Sequence, residues 1–113
     1  MQRRFRLRRS QDLERARRSG KSYSHPLLVL VACRNEQDRI RVGVVAGRAV
    51  GSAVRRNRGK RLLRAAMQNV VGAIVPGWDV VLIARAALVE SSCAEVQEAL
   101  AVLLRRAELV PAS

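Results

Sequence analysis

Between Gly51 and Arg64 the chain reads Gly-Ser-Ala-Val-Arg-Arg-Asn-Arg-Gly-Lys-Arg-Leu-Leu-Arg. Arg55, Arg56, Arg58, Lys60, Arg61 and Arg64 place six cations within ten residues, with no acid among them. Apolar residues nevertheless recur at helical spacing. At about 100° per residue, Gly59, Leu62, Leu63, Ala66 and Val70 share one sector wide enough to face a core. Asn57, Arg58, Lys60, Arg61, Arg64 and Gln68 take the opposite side. Any fold for this chain must therefore bury one face of a helix and leave a cationic array on the other.

That charge order is unfavourable for a helix standing alone. Arg55, Arg56 and Arg58 lie in its first two turns, where a cation opposes the helix dipole by about 0.3–1 kcal/mol. Like-charge pairs such as Arg58/Arg61 and Lys60/Arg64 add a few tenths of a kcal/mol of repulsion each. A phosphate reverses the sign, because helix N-terminal N–H groups and arginines then bind the same anion. A solvated charged face is the simpler reading, but it leaves the strained N-terminus without a reason.

The whole chain leans the same way. Residues 1–64 hold 19 of the 22 Lys+Arg and 4 of the 9 acids, a net +15, and the remainder is −2, giving the chain its +13. Twenty of the 22 cations are Arg, whose planar fork suits bidentate phosphate contacts. A nucleic acid fits this balance ahead of an anionic membrane surface. DNA reading would need a groove-reading helix with a helix-turn-helix partner or a dimer seam, and neither is evident. With only Phe5, Tyr23 and Trp78 as aromatics, stacking platforms for bases are few.

At 113 residues the chain predicts one domain, 1–113, with a modest aliphatic core. Residues 1–9 alternate Phe5 and Leu7 with arginines and read as a flexible basic arm. Its Arg-rich start is interrupted by Asp12 and Glu14, unlike an organelle transit peptide. No apolar run reaches spanning length, and the expected location is cytoplasmic. Cys33 and Cys93 lack ligand-like spacing and read as two buried small hydrophobes.

Ser10 stands as a helix cap before a short helix, Gln11–Arg18, that ends at Gly20. Leu27–Cys33 reads as a strand, and 39–46 as the second strand of a hairpin with it. The basic helix is expected over Ala53–Ile74, stopped by Pro76-Gly77, with Gly59 admitting a neighbouring backbone. Trp78–Ala84 is a further strand. Ser91-Ser92 caps a last helix whose Val96, Leu100, Leu103 and Leu104 share a face. The pattern predicts an α+β sandwich, a small two-layer fold with helices on one face of the sheet.

The segment Ala49–Arg64 closely resembles the Arg-Asn-Arg signature helix of the bacterial ribonuclease P protein component. Arg6-Leu-Arg-Arg-Ser-Gln-Asp-Leu13, Arg18-Ser-Gly-Lys21, Arg41-Val-Gly43 and Asp79-Val-Val-Leu-Ile-Ala-Arg85 follow in family-like order, so the resemblance covers nearly the whole chain. It implies a mixed or antiparallel sheet with an unusual left-handed β-α-β crossover. It also implies an RNA-binding subunit that assists a catalytic RNA in removing the 5′ leader of precursor tRNA. Chemistry would rest with that RNA and Mg2+, with no catalytic side chain and no metal held by the protein.

By the same resemblance Arg48, Arg55, Arg56, Asn57, Arg58, Lys60, Arg61 and Arg64 would contact the RNA subunit. A cleft between the first helix and the sheet would hold the leader, with Leu13, Ala16 and Leu30 at matching positions; Arg8 and Arg9 of the arm are added to it on charge alone. The sequence agrees with a noncatalytic protein, since its acids form no metal-binding motif and His25 stands alone beside a proline. The competing class is a ribosomal or RNA-chaperone protein that binds structured RNA.

Overall fold

The computed structural model describes residues 5–7 and 9–110, so Arg3, Arg4 and Arg8 of the expected arm lie outside them. The elements run α1 (Ser10–Ser19), β1 (Lys21–Ser24), β2 (Leu28–Arg34), β3 (Arg41–Val45), α2 (Ala53–Gln68), β4 (Trp78–Ala84) and α3 (Cys93–Arg106). Short 3-10 turns at Arg48–Val50, Val71–Ala73 and Ala86–Glu90 join them.

The sheet order is β1-β2-β4-β3. β2 pairs antiparallel with β1 and with β4, whereas β3 and β4 run parallel. The hairpin expected between 27–33 and 39–46 is therefore not formed, because β4 lies between those strands. β2 and β4 are apolar on both faces, the mark of central strands. The true hairpin partner of β2 is β1, whose Lys-Ser-Tyr-Ser sequence has no apolar alternation to announce it. His25 helps shape that turn, its Nδ1 accepting from the Leu27 N–H at 3.1 Å.

Side-chain alternation sends the two central strands into two cores. Leu28, Leu30 and Ala32 of β2 join Val80, Leu82 and Ala84 of β4 under α2 and α3. Val31 and Val81 point the other way, against Ala16 of α1 and Leu7. The class is α+β with a mixed sheet, but the three helices do not share one face. A sheet apolar on both sides needs cover on both, and α1 supplies the second.

Three boundaries differ from expectation. α2 stops at Gln68, short of Ile74, where Asn69, Val70, Val71 and Gly72 favour helix poorly and a 3-10 turn follows. Ser10 is the first residue of α1 and Arg9 takes the cap position without a side-chain cap bond. Phe5–Leu7 is seated on the fold: Arg6 bridges Val42 in parallel register and the Leu7 N–H donates to the Val42 carbonyl at 2.7 Å. This seating covers the edge of β3, with Phe5 packed on the α2/α3 core and Leu7 on the α1 core.

Gly20 fixes how α1 meets the sheet. A Cβ there would fall 2.5 Å from the Ala16 carbonyl oxygen and 2.8 Å from that of Ala32, so only glycine fits between helix and strand. At the far end, Ser92 and Glu95 close a capping box on α3. Hydrogen bonding to Ser92 holds the Glu95 carboxyl below its ordinary range.

Candidate nucleic-acid interface

The polypeptide enters α2 through Gly51, whose φ of 124° is a conformation side chains resist. Ser52 then caps the helix, its Oγ accepting from the Arg55 N–H at 3.3 Å. No acid lies in the first turn. Gly59, Leu63, Ala66 and Met67 are buried, with Leu62 and Val70 partly so. Met67 belongs to the buried stripe although the faces read from sequence left it out. Gly59 does not admit a neighbouring backbone as expected. A Cβ there would meet the side chains of Ala84, Val89 and Leu88 at ordinary contact distances of 3.5–3.9 Å.

The cations of α2 divide into two sets. Arg55 donates through Nε to the Val50 carbonyl at 3.0 Å, with Nη2 3.5 Å from Glu90 Oε1. Arg58 donates through Nε to the Val89 carbonyl at 2.9 Å. The side chains of Arg48, Arg56, Asn57, Lys60, Arg61 and Arg64 make no hydrogen bond or ion pair with any described residue. Desolvation, and then the nearby charge of Arg6, lower the pKa of Arg64 from its ordinary value. Arg6 and Arg64 border a cleft of about 210 Å³ with Leu7, Leu13, Val42, Gly43 and Val44. The lining includes no acid.

On the α1 face the sheet residues form rows given by register. Arg41, Asp79 and Cys33 stand in one, Gly43, Val81 and Val31 in the next, and Val45, Ile83 and Val29 in the third. α1 packs on the middle row through Ala16, and Leu13 stands where a Gly43 side chain would otherwise be. The third row is only partly buried. Sequence reading missed these three residues, although their alternation with the core positions Leu28, Leu82 and Val44 marks them.

The first row is polar. Asp79 is 1 % exposed, and its carboxylate accepts from Arg41 Nε and Nη2 at 2.8 Å each and from Asn35 Nδ2 at 2.9 Å. Arg15 and Asp12 of α1 complete the cluster through ion pairs of 3.7–3.9 Å with Arg41, Asp79 and each other. The hydrogen bond to Asp79 raises the Arg41 pKa against the opposing effect of burial, and the charges of Asp79 and Asp12 add to the rise. This cluster fastens the N-terminal half of α1 to the sheet.

The expected leader-cleft residues fare unequally. Leu13 lines the cleft, and Arg9 is exposed at the start of α1. Ala16 is fully buried beneath the helix and serves packing. Leu30 is a correction: it has 0 % exposure and belongs to the α2/α3 core, because even-numbered positions of β2 face away from α1. Arg8 lies outside the described residues. Cys33 is partly buried, but Cys93 is exposed at the start of α3, contrary to expectation. Among the described residues, no three His, Cys, Asp or Glu side chains group to hold a metal, and no helix is long and apolar enough to cross a membrane.

The ribonuclease P family profile matches residues 1–108. The ribonuclease P protein component of Herpetosiphon aurantiacus is 43% identical over 109 residues, covering 96% of this chain and 89% of the relative. This chain belongs to the ribonuclease P protein family. The RNase P protein structure from Staphylococcus aureus matches with a TM-score of 0.84 at 27% identity, over 95% of this chain and 98% of that one. The Thermotoga maritima RNase P protein gives 0.79 at 35%, over 89% and 96%. The chain is thus the protein subunit of ribonuclease P, an endoribonuclease of tRNA 5′ processing, rather than a ribosomal or chaperone protein.

Proposed function

We propose that the outward face of α2, with Arg48 before it, docks on the RNA subunit of ribonuclease P, and that the α1 face of the sheet receives the 5′ leader of precursor tRNA. The observation that carries this reading is the set of cations without a partner among the described residues, on a helix anchored by its other face. Arg56, Lys60, Arg61 and Arg64 hold no partner among the described residues, and no described acid competes for them. Phosphates would relieve both the like-charge repulsion and the unfavourable helix start.

The α1 side offers a different surface. The row Val45–Ile83–Val29 and Leu13 provide apolar contact for unstacked bases, while Arg6 and Arg64 at the cleft mouth match a phosphodiester backbone. Aromatic stacking is absent here, so contact with the leader rests on aliphatic surface and arginine. Mg2+ bound by the RNA would supply the hydrolytic chemistry. The protein's part is to hold substrate and neutralise phosphate charge so that fewer free cations are needed. Its best-placed carboxylate, Asp79, is committed to Arg41 and Asn35.

Precursor tRNA cleavage by the RNA subunit at limiting Mg2+ tests the assignment. Wild-type protein should restore cleavage, and Arg56→Ala/Arg61→Ala should restore less, with the deficit recovered at high Mg2+. Equal restoration by both proteins would show that this face of α2 points elsewhere.

A further inference from the structure

Among the α2 cations, Arg55 and Arg58 hold hydrogen-bond partners in the described residues, and the others hold none. Each of the two uses Nε, the one guanidinium N–H that lysine has no counterpart for, on a main-chain carbonyl. The Val50 carbonyl ends the 3-10 turn before α2, and the Val89 carbonyl lies in the last part of the turn before α3. Neither carbonyl accepts a backbone hydrogen bond from outside its own turn among the described residues. Val50 and Val89 themselves are buried. Two arginines thus tie both flanking turns to the first two turns of the helix, where cations are least favoured by the dipole.

We propose that Arg55 and Arg58 are positioning residues for the RNA-facing surface, rather than two more interchangeable cations on it. Holding Nε on a fixed carbonyl sets the plane of each guanidinium and leaves its terminal amino groups free. Those of Arg58 hold no partner among the described residues, and Nη2 of Arg55 also lies 3.5 Å from Glu90 Oε1. The same bonds hold the turns Arg48–Val50 and Ala86–Glu90 against α2, so Arg48 keeps a fixed relation to Arg56, Lys60 and Arg61. Ordering is completed before RNA arrives, and binding loses less side-chain entropy. Positions 55 and 58 therefore require arginine, whereas a position such as 61 requires only an exposed donor of positive charge. This inference rests on the RNA-facing reading of α2.

The test uses the full protein and the RNA subunit, comparing wild type with Arg58→Lys, Arg61→Lys and Arg61→Ala. Affinity is measured across salt concentrations and amide hydrogen exchange is followed in the free protein. Arg58→Lys keeps the charge, so its salt slope should match wild type while affinity falls by about tenfold at every salt concentration, as for loss of one charge-assisted hydrogen bond. The Leu88 and Ser91 amides, which close the turn beside Val89, should exchange faster in Arg58→Lys and not in Arg61→Lys. Wild-type affinity for Arg58→Lys would overturn the proposal, and so would weaker binding with unchanged exchange, which marks a direct contact only. Arg61→Ala reports separately on the underlying reading: wild-type affinity and slope in that variant would show that α2 does not face RNA.

Discussion

Arg41 closes on Asp79 through two parallel 2.8 Å hydrogen bonds, joining adjacent strands β3 and β4 at a carboxylate that is almost wholly buried. Asp12 and Arg15 extend the pair onto α1, so one charged cluster sets the position of the helix that walls the proposed leader groove. Removing Asp79 leaves the largely buried Arg41 charge with only Asp12, at 3.7 Å, to compensate it. Asp79→Ala should lower stability by about 3–5 kcal/mol in urea unfolding. A loss under about 1 kcal/mol, the range of exposed pairs, would show that the cluster holds little.

Two glycines that look alike in sequence should respond in opposite directions. Gly59 lies inside α2 with room for a methyl group, so Gly59→Ala should raise stability by up to about 1 kcal/mol. Gly20 has main-chain oxygens on both sides, so Gly20→Ala must push α1 from β2 and should lose about 1–3 kcal/mol. Thermal denaturation of the two variants, measured side by side, checks the contrast.

The capping box of α3 predicts a pH dependence with a definite sign. Glu95 has a folded pKa below its ordinary value of 4.5, so its contribution is present above that value and fades as pH falls through the folded one. The stability difference between wild type and Glu95→Gln should thus be constant near neutrality and shrink in acid. A difference that grows on acidification would contradict the assignment.

Leu13 faces the cleft beside Gly43, and no aromatic side chain lines that cleft. Leu13→Phe should tighten leader binding, since stacking one base on an aromatic ring contributes about 1–3 kcal/mol. Equilibrium binding of precursor tRNAs with and without a leader measures this. A folded variant that shows no leader-dependent gain would place the leader elsewhere.

Local periodicity alone makes α3, β4 and the two-sided nature of α2 legible in the sequence. Non-local choices are not. β1 is polar and short and becomes a strand only by pairing with β2, while the insertion of β4 between β2 and β3 is decided by burial on two faces. That insertion also governs the site. It sets Ile83 between Val29 and Val45 in the open row, while alternation along β2 turns Leu30 into the core on the other face. The cationic helix could be read in full, yet the division of its arginines depends on the Val50 and Val89 carbonyls, which no side-chain pattern reveals.

The central claim is that α2 meets RNA through cations that hold no partner among the described residues. Its most direct measurement is the salt dependence of binding to the RNA subunit for wild type and for Lys60→Ala/Arg61→Ala. Each lost phosphate contact should reduce the slope of log K against log salt by about 0.7–0.9, so the double variant should be flatter by about 1.4–1.8. A slope equal to that of wild type, in a protein that folds normally, would contradict the account.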